Sequence, residues 1–125
     1  MNDTSLPQLR CRDLTGSTVR EAGELLVTLN GTADGRWTVP VAEFVAAVEQ
    51  EADAAPTSRV VVDFRQLEFM NSSCFKAFVT WLQHLLDMPA ERRYRIRFVS
   101  DPKRHWQARS LRALACFATE LVEVA

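Results

Sequence analysis

The sequence predicts one α/β domain with a mixed β-sheet covered by helices, and three observations lead to this prediction. The length of 125 residues is enough for one well-buried core but not for two. The β-branched run Val60-Val61-Val62 is typical of a strand covered on both faces. Across the chain, strand and helix patterns alternate in the order β-β-α-β-α-β-α-β, which is typical of the α/β class.

Residues 59–86 form the central unit of this prediction, a buried strand followed by a loop and a helix. Residues 65–70 mix polar and apolar side chains and are expected to be a short connection. The polar triplet Asn71, Ser72 and Ser73 then marks a helix that begins at Asn71 or Ser72. Its apolar side chains share one helical face, at Phe75, Phe78, Val79, Leu82 and Leu86.

The elements before the central unit are two strands and a helix. Strands are expected at residues 18–21 and 25–29, and Asn30-Gly31 is expected to close the second as a hairpin or turn. Residues 35–37 are expected to be a loop. Pro40 suits the first turn of a helix, where its missing N–H costs nothing. The core face of that helix is predicted at Val41, Phe44, Val45 and Val48.

The elements after the central unit are a strand, a helix and a last strand. Residues 94–98 alternate between apolar and basic side chains, as a half-exposed strand does. Asp101 and Pro102 are expected to be the N-cap and first residue of a helix. Residues 121–124 are expected to form a short strand. Five aromatic or aliphatic side chains are expected in the core, namely Trp81, Trp106, Leu111, Leu114 and Phe117.

Composition narrows the class of protein. The chain is 47% hydrophobic and 25% charged, it has no apolar stretch long enough to span a bilayer, and its start is unlike a signal peptide. Cys11, Cys74 and Cys116 are odd in number and lack metal-ligand spacing, so we expect reduced thiols and no metal or other cofactor. We expect a cytoplasmic protein, with residues 1–16 as an N-terminal tail or edge strand and residues 17–125 as the domain.

Charge is balanced overall but unevenly distributed. The formal net charge of -1 provides no general attraction to nucleic acid or to a membrane, and neither is an expected partner. In residues 92–112, called the basic segment below, the only acidic residue is Asp101. A solvated surface is the favoured interpretation of this segment, and a surface for a charged partner is the alternative. Its cations are Arg92, Arg93, Arg95, Arg97, Lys103, Arg104, Arg109 and Arg112.

The central unit resembles a known family. The string VVVDFRQLEFMNSSCFKAFVTWL is similar to the central signature of STAS domains, the fold of bacterial anti-sigma factor antagonists, in which a D-S-S-G or D-S-x-G tetrapeptide opens a helix. Residues 25–34 resemble the early strand of that family and its G-x-x-D turn. The resemblance covers roughly residues 19–125. This sequence departs from the pattern at Asn71, where the family has Asp, and at Cys74, where it has Gly.

The resemblance implies a non-catalytic regulatory module of a bacterial partner-switching system. It implies a protein partner, a serine kinase/anti-sigma factor or a related STAS-binding protein, and it places Ser72 at the serine which that kinase phosphorylates, with Ser73 as the alternative acceptor. A phosphate there would be stabilised by the helix N-terminus and would add about −1.5 to −2 charges. The alternative is a purely structural role, in which Ser72 or Ser73 only caps the helix. The protein would then be a constitutive scaffold subunit of a larger signalling or structural assembly.

Partner contacts are expected around the same helix start, and a homodimer is compatible with the sequence. For Asn30, Gly31 and Asp34 the alternative is an ordinary turn, and for Lys76 it is a solvated side chain. The expected contact residues are Asn30, Gly31, Asp34, Asn71, Ser72, Ser73, Cys74 and Lys76. An enzyme is not expected, because the sequence has neither a G-x-S-x-G elbow nor a glycine-rich phosphate loop. The two histidines, His84 and His105, are not at metal-binding spacing and are expected to be exposed.

Overall fold

One mixed six-stranded sheet organises the molecule in the computed structural model, which describes residues 6–125. The strands lie in sequence order across the sheet, with antiparallel pairing up to the third strand and parallel pairing thereafter. In chain order the elements are β1 (Gln8–Arg10), β2 (Leu14–Glu21), β3 (Glu24–Ala33), α1 (Thr38–Ala54), β4 (Arg59–Met70), α2 (Ser72–Asp87), β5 (Arg95–Val99), α3 (His105–Phe117) and β6 (Val122–Val124). Short 3-10 turns occupy Gly35–Trp37 and Ala90–Arg92.

The three helices lie on one face of the sheet, as right-handed crossovers between successive parallel strands require. Phe64 of β4 contacts Phe78 of α2 edge to face, with ring centroids 5.5 Å apart, and Phe98 of β5 at the same centroid distance. On β4 the side chains of Val61 and Asp63 point to the other face and are only partly buried. The expectation that β4 is covered on both faces is therefore wrong; its apolar run is buried at alternate positions.

The strands β3 and β4 are longer than the sequence suggested. Residues 65–70, expected to be a connection, continue β4, and Asn30 and Gly31 lie inside β3 instead of forming a turn. The pairing of Asn30 with Gln66 and of Thr32 with Phe69 follows register shifts, which mark β-bulges. Because bulges interrupt the two-residue alternation, the polarity pattern on which strand prediction relies is lost there.

The helix α1 and the first half of the core agree with the sequence. The four predicted core residues of α1 are buried, and the helix ends at Ala54. Gly35–Trp37, expected to be a loop, forms a 3-10 turn. The N-terminal segment contributes β1 at the edge of the sheet, and β2 begins at Leu14, which places it across the expected boundary at residues 16–17. The first five residues of the expected tail lie outside the described residues.

The helix α2 buries a wider face than the expected apolar stripe. Phe78 and Leu82 are buried as predicted, whereas the other three predicted positions are only partly buried. Trp81 is buried as expected, and its Nε1 donates a hydrogen bond to Oη of Tyr94 at 2.8 Å. Burial raises the pKa of the Tyr94 phenol above its ordinary value, because desolvation disfavours the phenolate. The remaining buried residues of α2 are Cys74 and Leu85.

The expectation that α3 starts at Asp101 and Pro102 is wrong. Asp101 accepts a hydrogen bond from the amide of Lys103, which closes a turn, and the helix begins only at His105. Leu111 is buried as expected, but Phe117 is 43% exposed. The buried polar residue of this helix is Gln107, which the sequence did not single out. The strand β5 is displaced by one residue from the expected 94–98, and β6 lies within its expected range. The core side chains of this part of the chain are buried, namely Tyr94, Ile96, Phe98, Leu114 and Val122.

Candidate functional site

The candidate site lies where β3 and β4 end. Parallel strands bring their carboxyl ends to the same edge of a sheet, so the turn after β3 meets the start of α2. A backbone hydrogen bond of 2.9 Å from the amide of Asn71 to the carbonyl of Ala33 ties the two ends together. Two side-chain contacts, described below, join residues 34–38 to residues 73–74. The predicted residues Asp34, Asn71, Ser73 and Cys74 are thus neighbours in the structure.

Asn71 is the N-cap of α2. Its Oδ1 accepts a hydrogen bond from the amide of Cys74 at 3.1 Å and another from the hydroxyl of Ser73 at 2.8 Å. Its backbone is extended, as N-cap geometry requires. The cap is therefore Asn71 itself, and neither Ser72 nor Ser73 has the capping role considered for them.

Replacing Asn71 with alanine is expected to lower the free energy of unfolding by about 1 kcal/mol, because an amide of the first helical turn loses its acceptor. Chemical denaturation monitored by circular dichroism measures this change. The matched variant Asn71→Asp keeps the acceptor and adds a charge that the helix N-terminus favours, so it should equal or slightly exceed the parent in stability. Equal stability of the alanine variant and the parent would remove the capping role.

Ser73 connects α2 to α1. Its Oγ lies 2.6 Å from Oγ1 of Thr38, the first residue of α1, and the threonine hydroxyl also lies 2.9 Å from the carbonyl oxygen of Gly35. Together with the bond to Asn71, these contacts leave the Ser73 hydroxyl engaged on two sides. Thr38 was not predicted, because its partner lies 35 residues away in sequence and no local pattern signals the pair.

Cys74 is buried at the first turn of α2, with 0% of its surface exposed. Its Sγ lies 3.4 Å from the carbonyl oxygen of Asp34, to which it donates a weak hydrogen bond. Burial raises the pKa of the Cys74 thiol, so the helix N-terminus does not turn it into a reactive thiolate. A glycine could not fill this space, and Cys74 serves the packing between α2 and the turn after β3.

Ser72 is exposed, and none of the hydrogen bonds described for this junction uses its hydroxyl. It is the first residue of a 16-residue helix, so the unpaired amides of the first turn lie next to it. Lys76 is exposed one turn later on the same side of the helix. Ser73 is exposed as well, so the two serines differ in their bonding: the Ser73 hydroxyl contacts Asn71 and Thr38, whereas the Ser72 hydroxyl is open.

Asp34 holds the turn after β3. Its carboxylate accepts a hydrogen bond from the amide of Arg36 and is also paired with the Arg36 guanidinium, at 2.8 Å. The hydrogen bond from the Arg36 side chain lowers the pKa of Asp34. The same guanidinium reaches Asp13, which precedes β2, at 2.8 Å. This exposed network fixes the turn beside α2 and places charges of both signs at the edge of the site.

Asn30 and Gly31 lie within β3, before the strand end, and are not part of the contacts between the turn and α2. Gly31 has φ +114°, and a Cβ atom at this position would lie 2.1 Å from the carbonyl oxygen of Asp13. The close approach of two backbones therefore explains the glycine. A role of Asn30 and Gly31 in partner binding stays a prediction.

Part of the basic segment is engaged in contacts within the chain. Arg93 donates to two carbonyls at the end of α2, Arg95 pairs with Glu123 at 3.1 Å, and Arg104 lies 3.7 Å from Asp101. These three cations contribute to the fold.

The histidines and thiols show no metal centre. His84 and His105 are both exposed, as expected, and Nδ1 of His84 lies 2.7 Å from Oε2 of Glu49 on α1. Within residues 6–125, no group of three metal-ligating side chains comes together. In the same part of the chain, no helix has the length and apolar character needed to cross a membrane.

Comparison with solved structures finds this fold in anti-sigma factor antagonists. One such antagonist from Mycobacterium paratuberculosis matches 92% of this chain and 90% of its own, with a TM-score of 0.65 and 17% sequence identity. The anti-sigma factor antagonist SpoIIAA in its unphosphorylated form matches 88% of this chain and 87% of its own, with a TM-score of 0.61 and 13% identity. An antisigma-factor antagonist STAS domain from Rhodobacter sphaeroides matches 70% of this chain and 86% of its own, with a TM-score of 0.50 and 16% identity.

At the level of sequence, no family model and no curated protein matches the chain. The structural likeness shows the fold, and the prediction of a STAS-like α/β domain with a mixed sheet is confirmed.

Proposed function

We propose that this chain is a non-catalytic protein-binding module of a bacterial partner-switching system, similar to an anti-sigma factor antagonist, and that phosphorylation of Ser72 controls it. The observation that carries the proposal is the exposed Ser72 at the first position of α2, whose hydroxyl is free of the bonds that engage its exposed neighbour Ser73 with Asn71 and Thr38. The shared fold with anti-sigma factor antagonists supports the class of function.

The partner in this proposal is a serine kinase/anti-sigma factor or a related STAS-binding protein in the cytoplasm. It contacts the start of α2 and the turn that holds Asp34. The turn and the helix are joined through the Ser73–Thr38 and Cys74–Asp34 contacts, so they present one preformed surface to the partner. Preorganisation favours binding because little conformational entropy is lost on association.

Phosphorylation of Ser72 would release the partner through charge. The added group carries about −1.5 to −2 charges, and the unpaired amides of the first turn, with Lys76 one turn away, stabilise it on this chain. A partner docked over the same helix start would have to bury that charge, which is costly without a matched cation. The unmodified form therefore binds and the phosphorylated form does not.

Intact-mass analysis of the protein from its native cells tests the modification. We expect a species heavier by one phosphate in the parent and in Ser73→Ala, and its absence in Ser72→Ala. The Ser73 variant is the matched control, because it removes the neighbouring hydroxyl and the bond to Thr38 while leaving the proposed acceptor. Phosphate that persists in Ser72→Ala would show that another residue is the phosphate acceptor.

A binding measurement then tests the switch, once the kinase that modifies the chain is purified. Ser72→Asp is expected to weaken its affinity for this chain at least about tenfold, whereas Thr80→Asp, which places the same charge on the exposed side of α2 two turns later, is expected to have little effect. Equal weakening by both variants would indicate a general charge effect and contradict a switch at Ser72.

A constitutive scaffold is the second candidate, and the roles of Asn71 and Cys74 favour it. Both residues replace the acidic and glycine positions of the resembled motif, and both complete the helix start without a phosphate, one as its cap and the other in the core. In a scaffold subunit the same face is a permanent interface. Unmodified protein under growth and stress alike, with unchanged affinity of Ser72→Asp for its assembly partner, is the result expected for this candidate.

A further inference from the structure

The outer edge of β6 has backbone groups that face away from the sheet. The carbonyl of Leu121 and both backbone groups of Ala125 bond to the β5 side, to Ile96, Phe98 and Ser100. Alternate residues of a strand point in opposite directions. The amide and carbonyl of Val124 therefore point outward, and within residues 6–125 no strand pairs with this edge.

A groove runs along this edge. It has a volume of about 330 Å³ and lies between β6 and α3. Val124 is paired in register with the buried Phe98, so its side chain is on the helix side of the sheet, where it is 44% exposed at the groove. The groove is lined by Ser100, Ala108, Arg112, Ala115 and Val124.

The charge beside the groove is positive and uncompensated. Arg112 lines the groove, and Arg109 lies one turn before it on α3. Both are exposed, and in the described part of the chain neither has a carboxylate within 4.0 Å. By contrast, Arg95 of β5 is paired with a carboxylate, that of Glu123, which lies next to Val124 on β6. These unpaired guanidinium groups can receive a carboxylate from outside.

We propose that this edge binds an extended, acidic peptide segment of a partner protein as a seventh strand. The segment would bond to the outward backbone groups of Val124, place apolar side chains over Ala108 and Ala115, and direct an acidic side chain to Arg112. Main-chain hydrogen bonds supply affinity in such strand addition, and the pockets for alternate side chains supply specificity. This surface is separate from the start of α2, so the module has a second contact besides the one proposed above.

The probe is a heptapeptide with blocked ends, with threonine at odd positions and valine, glutamate and valine at even positions. Titrated into the ¹⁵N-labelled full chain, it should shift the amide resonances of Val124 and its neighbours Ser100 and Ala115. A version with lysine in place of glutamate should bind more weakly. Arg112→Gln should lower the affinity for the acidic peptide by about fivefold, and Arg112→Glu should reverse the preference between the two peptides.

Two substitutions at one position separate strand pairing from groove filling. Val124→Pro removes the outward N–H but no bond to β5, and proline is tolerated at such edge positions, so the fold should persist while binding is lost. Val124→Thr keeps the amide and nearly the same shape, and it should bind like the parent. Circular dichroism of each variant verifies the fold.

Other outcomes would overturn the proposal. Equal affinity for the acidic and basic peptides, retained binding by Val124→Pro, or shifts confined to other surfaces would each contradict strand addition. Concentration-dependent shifts at β6 without peptide would assign the edge to a second copy of this chain instead. None of these results bears on the modification of Ser72, which the mass measurement decides separately.

Discussion

Replacing Gln107 with leucine is expected to lower the free energy of unfolding by about 3–5 kcal/mol. Gln107 is 0% exposed, and its Nε2 donates to the carbonyls of Phe64 at 2.7 Å and Leu67 at 2.9 Å. Its Oε1 accepts from the amide of Asp101 at 2.9 Å. Leucine has a similar size but leaves these groups without partners, and each such buried group costs about 1–3 kcal/mol. Urea denaturation of both proteins measures the difference.

Gln83→Leu is the matched control for this substitution. Gln83 is exposed on α2, so the same chemical change there should alter stability by no more than about 0.5 kcal/mol. If Gln107→Leu changed the free energy of unfolding as little as the control does, the three hydrogen bonds of Gln107 would contribute little to stability, and solvent would replace them. Hydrogen exchange adds a local readout, because the amides of the second half of β4 should exchange faster in the Gln107 variant.

Gln107 is important because it holds the second half of β4 against α3. The second half of β4 is irregular and carries the chain to the cap of α2, and α3 supports it from the side. Besides Gln107, Nε1 of Trp106 donates to the carbonyl of Glu68 at 2.9 Å, and Nε of Arg104 donates to that of Arg65 at 3.3 Å. The position of Ser72 therefore depends on α3 through this strand segment.

Much of the fold was accessible from the sequence, because regular elements leave regular patterns. Val41 and Phe44 recur at helical spacing and are buried in α1, and Ile96 and Phe98 alternate with arginines and are buried in β5. These patterns arise from burial of one face, which is a property of a single element. The order of such elements, together with the short motif at Ser72, sufficed for the fold.

The errors occur where the geometry depends on distant contacts. The second half of β4 reads as a connection because bulges break its alternation, and its carbonyls are satisfied by α3 about 40 residues later. Asp101 resembles an N-cap because its side chain closes a turn, yet that turn precedes the helix by a few residues. Local propensity describes both segments correctly as polar and turn-forming, and tertiary contacts decide what they become.

The candidate site shows the same division. The residues at the start of α2 share a motif, so the sequence could identify them together, and the resemblance placed Ser72 before Ser73 as the acceptor, but the different bonding of the two hydroxyls could not be predicted. That separation depends on Thr38, which is far away in sequence and takes the Ser73 hydroxyl as its partner. Likewise, the resemblance that grouped Gly31 with the partner contacts could not reveal that the backbone of Asp13 lies against it.

Gly31→Ala is accordingly expected to lower the free energy of unfolding by about 3 kcal/mol or more. Two costs combine: a side chain at φ +114° is strained by about 1–3 kcal/mol, and the added Cβ would displace the carbonyl of Asp13. That carbonyl accepts a 2.8 Å hydrogen bond from the amide of Thr32, which would be weakened as well. Thermal and urea denaturation measure the loss.

Gly23→Ala separates the two costs. Gly23 also has a positive φ, +82°, but a Cβ there would meet only Oγ of Ser58, at 3.9 Å. It should therefore show the backbone strain alone, about 1–2 kcal/mol. A clearly larger loss in Gly31→Ala assigns the excess to the close approach of Asp13, and equal losses would mean that the strand moves aside without cost. In the first case Gly31 is required by the fold, and a substitution there cannot be used to test partner contact.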